Sequence, residues 1–120
     1  MARHVLMVVP DLFFATRIRE AAAALGVSVI ETPAADAAAT AGALEAAVAI
    51  VDLAEGESAA GTVRALREAA PGLRIVGFHS HVDVRAREAA LAAGADEVLP
   101  RSALTRRLGE VLAGGTGPAR

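Results

Sequence analysis

The sequence predicts a three-layer α/β domain on a doubly wound, five-stranded parallel sheet, and three observations predict it. Short runs of Val, Ile, Leu and Ala, too brief for helices and apolar on both faces, recur along the chain. Stretches with helical periodicity separate them, and Asp, Gly and Pro punctuate the junctions. Strands that alternate strictly with helices form a parallel sheet covered on both faces. At 120 residues and 12.1 kDa the chain has room for one such core.

Val5-Leu6-Met7-Val8-Val9 is the first buried strand, bounded by Pro10-Asp11. Asp11 caps a helix that runs to Leu25, with Leu12, Ala15, Ile18, Ala22 and Leu25 at helical spacing and Gly26 as its stop. Val27 to Ile30 is the second strand. Thr32-Pro33 then supplies an N-cap and a Pro at the first helical position of an Ala-rich helix ending near Leu44. Val48 to Val51 is the third strand, closed by Asp52. Ser58 to Ala70 reads as a helix with Val63, Leu66 and Ala70 on one face, ended by Pro71-Gly72. Leu73 to Phe78 is the fourth strand, Val84 to Ala93 the fourth helix and Glu97 to Leu99 the fifth strand. Ser102 caps a last helix to about Leu112. Residues 1–113 form the domain, and 114–120 read as a flexible tail rich in Gly. Right-handed crossovers make a flavodoxin-like order of 2-1-3-4-5 the economical topology, with its switch point between strands 1 and 3.

Composition narrows the function classes. Hydrophobic residues make up 54% with only three Phe and no Trp or Tyr, so aliphatic side chains must fill the core. No apolar run is long enough for a membrane span, and the short N-terminal run lacks the pattern of a signal peptide. The absence of cysteine removes disulfides and thiolate metal sites, and a cytoplasmic location fits. A net charge of -2 gives no general drive toward nucleic acid or anionic membrane. Every basic residue is Arg, and Lys is absent.

Ligands of such a fold sit outside the carboxyl ends of the strands. Those ends carry Asp11 after strand 1, Asp52 closing strand 3, His79-Ser80 after strand 4 and Arg101 after strand 5. Asp11 has an ordinary alternative role as the cap of helix 1. Asp52 does not, because an acid ending the most apolar strand carries a desolvation cost that capping leaves unexplained. Val9-Pro10-Asp11-Leu12 is no Gly-rich phosphate loop. His79 and His81 alternate on an extended chain, which argues against zinc. Ser80 and His79 are adjacent, without a nucleophile elbow, which argues against a hydrolytic triad.

The element order, Ala49-Ile50-Val51-Asp52-Leu53, and the Ala89–Arg101 stretch with Gly94-Ala95-Asp96-Glu97 resemble the receiver domain of two-component response regulators. The resemblance spans about residues 4–113. It implies that Asp52 stands at the phosphoacceptor position, with Asp11, His79, Ser80 and Arg101 as its neighbours. It also implies an acidic pair for Mg²⁺ after strand 1, where this chain has Val9-Pro10, and a hydroxyl after strand 4, where it has His79. A Lys after strand 5 is replaced by Arg101, and an aromatic switch residue by Val98. Asp11 and Asp52 then leave a weak Mg²⁺ site at best, needed only if Asp52 is phosphorylated. Arg101 is expected to lock Asp52 in a salt bridge.

The reading is an atypical, non-enzymatic receiver-like module, a pseudo-receiver, that signals by protein–protein interaction without phosphorylation. The alternative is a working phosphorelay receiver phosphorylated on Asp52. A third is a flavodoxin-like ligand-binding domain or enzyme using His79. The resemblance places the partner surface, for a histidine kinase, an effector or a second copy, on the fourth helix, fifth strand and fifth helix. Arg85, Arg87, Arg106 and Arg107 lie there. No DNA-binding segment is expected after the domain.

Overall fold

The computed structural model describes residues 4–54, 57–80 and 83–113. The chain runs β1 (His4–Val8), α1 (Leu12–Leu25), β2 (Ser28–Glu31), a 3-10 turn (Ala34–Asp36), α2 (Ala37–Leu44), β3 (Val48–Asp52) and α3 (Glu57–Ala69). It continues through β4 (Arg74–His79), α4 (Val84–Ala93), β5 (Glu97–Pro100), α5 (Arg101–Arg106) and α6 (Leu108–Leu112). The five strands form one parallel sheet in the order β2-β1-β3-β4-β5, as the sequence predicts. No helix among the described residues is long and apolar enough to cross a membrane. The expected tail over 114–120 lies outside the described residues.

Side chains alternate across each strand, and the alternation sorts the core into two layers. Leu6, Val8, Ala49, Val51 and Ile75 face α2, α3 and α4, where Ala37, Ala41, Ala59, Ala60, Ala90 and Ala93 let the helices sit close. Val5, Met7, Val48, Ile50, Val76 and Phe78 face α1, α5 and α6. Each fully buried Ile or Leu contributes about 1.5–3 kcal/mol through loss of apolar surface to water. Strands buried on both faces read as continuous apolar runs, which is why β1, β3 and β4 were visible in the sequence.

Several expectations are corrected in detail. The buried stripe of α1 is Phe14, Ala15, Ile18 and Ala22. At 3.6 residues per turn, Leu12 lies roughly 160° around the helix from Phe14 and is 72% exposed. Leu25 is the last helical residue and is likewise exposed. Thr32 does not cap α2. Its amide still bonds to Met7 in the sheet (3.0 Å), and its hydroxyl donates to the Pro33 carbonyl (3.1 Å). Pro33 therefore precedes a 3-10 turn rather than opening the helix. Ser102 is not a cap either, since α5 begins at Arg101 directly after extended Pro100. The expected single helix to Leu112 breaks at Arg107 (φ -103°, ψ 13°), two residues before the poor helix former Gly109.

Candidate functional site

The carboxyl ends of β1 and β3 open into a groove of about 740 Å³. Asp11, Asp52 and Arg101 line it, together with Val9, Pro10 and the Pro33–Ala34 corner. The volume falls within the range of small-molecule clefts, about 300–1,000 Å³. Three of the five candidate residues are thus brought together. His79 and Ser80 stand apart from that lining. His79 ends β4 in register with Pro100, and its Nδ1 is buried without a hydrogen-bond partner. Ser80 is exposed.

Asp52 is half-buried at the end of β3, opposite Phe78. Its Oδ1 accepts the Ala54 amide at 2.9 Å, an Asx-type turn that orients the carboxylate as the chain leaves the sheet. Asp11 is engaged twice. Its Oδ1 accepts the amides of Phe13 (3.0 Å) and Phe14 (3.1 Å), capping α1, and its Oδ2 accepts Arg101 Nη1 at 3.1 Å. The Phe14 amide and then Arg101 hold the Asp11 carboxyl below its ordinary pKa, because both bonds favour the charged form.

The Arg101 guanidinium makes a short ion pair with Asp11. The guanidinium carbon lies 4.7 Å from the Phe14 ring centroid and 5.6 Å from that of Phe78. The two rings are themselves packed 5.0 Å apart at 56°. A planar guanidinium stacks on aromatic faces in a way that a Lys ammonium does not. The sequence showed Arg101 as a departure from the Lys that the resemblance implies, but it did not reveal Phe14 and Phe78 beneath it.

The groove does not suit the divalent cation that the resemblance implies. Val9 and Pro10 have no side-chain donors, and both Asp11 oxygens already accept bonds. Among the described residues no three His, Asp or Glu side chains converge as a ligand set.

The expected partner face divides. Arg85, Arg87 and Arg106 are exposed. Arg107 instead ties Glu97 (2.6 Å) and Glu110 (3.0 Å) together, and Arg74 also reaches Glu97 (2.9 Å). Glu110 and then Glu97 strengthen the hold of Arg107 on its proton. Asp96 is also structural, as it accepts Arg67 and the Ile75 amide, both at 2.8 Å. Arg67 escaped sequence reasoning altogether, because most of its partners are backbone carbonyls that leave no pattern in side chains.

No protein-family model matches the sequence, and no curated protein matches it. Solved structures do. A response regulator from Thermotoga maritima superposes with a TM-score of 0.78 at 19% identity, over 94% of this chain and 99% of that one. The chemotaxis protein CheY4 of Vibrio cholerae gives 0.77 at 19% identity, over 93% and 100%. A Burkholderia pseudomallei response regulator, solved with a phosphorylated aspartic acid, a calcium ion and citrate, gives 0.73 at 22% identity, over 98% and 76%. The fold is the flavodoxin-like fold of response-regulator receiver domains.

Proposed function

We propose that the chain is an atypical receiver-like signalling module that acts by binding a protein partner, with no requirement for phosphorylation of Asp52. One observation carries this reading. The carboxylate best placed to help Asp52 hold a metal, Asp11, is committed to the α1 cap and to Arg101. Phosphoryl transfer to a carboxylate depends on cationic neutralisation of the phosphoryl oxygens, and here the guanidinium that lines the groove, Arg101, is paired to Asp11. The receiver fold supports a role in signalling rather than in turnover of a substrate.

The partner face of this reading is α4, β5 and α5. Val84 and Leu91, seven residues apart on α4, are exposed on one stripe with Arg87 and Glu88 between them. Arg85 on α4 and Arg106 at the end of α5 are exposed as well. Exposed apolar residues bordered by charge suit a protein partner, a kinase, an effector or a second copy, better than a nucleic acid.

A second reading keeps Asp52 as a working phosphoacceptor. Its half-buried position at the groove supports it, as does the phosphorylated aspartate of the Burkholderia neighbour. In-cell crosslinking of wild type, Asp52→Asn and Arg85→Ala/Arg87→Ala separates the two. The leading reading expects the same partners, in the same yield, from wild type and Asp52→Asn, with loss in the α4 double variant. Partners that disappear in Asp52→Asn would support the second reading instead.

A further inference from the structure

We propose that Arg101 is a built-in cation, a positioning residue that takes the place of a divalent ion and fastens the start of α5 to the start of α1. The inference deepens the reading above and rests on it for its biological meaning. It rests on the geometry alone for its physical content.

Four features converge on it. The guanidinium meets Asp11 at 3.1 Å across ninety residues of sequence. Its flat face lies over Phe14 and Phe78, one ring from α1 and the other from β4, so the cation is held by two segments besides its own. The Arg101 Nε is buried with no hydrogen-bond acceptor, a cost the molecule bears where the group is pressed against rings rather than water. Finally, the other Asp11 oxygen caps α1, so that carboxylate cannot turn toward a metal without releasing the Phe13 and Phe14 amides.

The residue types agree with this role. A divalent ion needs several oxygen donors in one shell, and the segment that would supply them reads Val9-Pro10. A guanidinium needs one carboxylate and a flat apolar surface, and the corner supplies both. Lys would keep the charge but lose the planar stacking and the fork. The consequence is that the Asp11 charge is balanced and the neighbouring helices are joined irrespective of divalent metal.

The test uses the full chain as wild type, Arg101→Met, Arg101→Lys, Asp11→Asn and the Arg101→Met/Asp11→Asn double variant. Asp11→Asn retains an oxygen able to cap α1 while removing the charge, so it carries the test if Arg101→Met does not fold. Amide spectra are recorded with and without Mn²⁺, and hydrogen exchange is followed in the first turns of α1 and α5. The latch predicts no selective Mn²⁺ broadening of the amides of Val9, Asp11 and residues 52–54 in wild type. It also predicts exchange on the order of tenfold faster in both first turns for Arg101→Met and Asp11→Asn, with no further gain when the two are combined. Arg101→Lys should fall between these and wild type. Selective broadening in wild type would overturn the proposal. So would exchange unchanged in both single variants, or Arg101→Lys indistinguishable from wild type. None of these readouts depends on whether Asp52 becomes phosphorylated, so failure of the latch and failure of the partner-binding reading are separable.

Discussion

Replacing Arg67 with methionine keeps the apolar stem and removes the guanidinium from a dense polar junction. That side chain is 26% exposed. Its Nε and Nη2 reach the Gly94 carbonyl at 3.1 and 2.8 Å, and its Nη1 reaches the Pro71 and Leu73 carbonyls, both at 2.7 Å. Nη2 also meets Asp96, whose same oxygen accepts the Ile75 amide. One residue of α3 thus closes both the α3–β4 turn and the α4–β5 turn. Hydrogen bonds to charged groups contribute about 1.5–3 kcal/mol each, but carbonyls near the surface recover part of that from water. A net loss of about 3 kcal/mol is expected, a large share of the roughly 5–15 kcal/mol that holds a domain together. Urea denaturation followed by circular dichroism measures it for wild type, Arg67→Met, Asp96→Asn and the double variant. Because the two side chains share one bond, the double variant should lose less than the sum by about 0.5 kcal/mol or more. Arg67→Met within about 0.5 kcal/mol of wild type, or strict additivity, would refute the reasoning.

Gly94 has φ +121°, and a Cβ there would lie 3.0 Å from the Arg67 Cγ, so Gly94→Ala should cost about 2 kcal/mol in thermal melts. A melting temperature like that of wild type would contradict it. Glu45 ends α2 in the left-handed region at φ 53°, and Glu45→Gly should stabilise by about 1 kcal/mol, read as a higher urea midpoint. Asp11 gives a pH test with a definite sign. Its folded pKa lies below the ordinary 3.8, so its contribution is full above that value and is lost as pH falls through the lower folded pKa. The stability gap between wild type and Asp11→Asn should therefore be widest at neutral pH and close on acidification below about pH 4. A gap that widens there would show that the pairing is wrong.

The order of elements was legible because buried parallel strands are written as local apolar runs and helix ends as Asp, Gly and Pro. Gly26 was read correctly as a stop, and Val84–Ala93 was placed to the residue. What failed was local competition. Thr32 looked like a cap, but its amide is claimed by β1, and Ser102 lost that role because Pro100 leads straight into α5. In the site, single residues were visible and their pairings were not. Arg101 was singled out, yet its choice of Asp11 depends on where α1 and α5 meet, ninety residues apart in sequence. Arg107 and Asp96 looked like surface charge, because nothing local discloses Glu97 or the Ile75 amide as their partners.

Central is the proposal that Asp52 stands at a phosphoacceptor position within surroundings rebuilt around Arg101 and Asp11. Intact-mass spectrometry after incubation with acetyl phosphate and Mg²⁺ tests it most directly. The expected result is a single species at the mass of the unmodified chain. A species heavier by one phosphoryl group, absent from Asp52→Asn, would contradict the account and restore the working receiver.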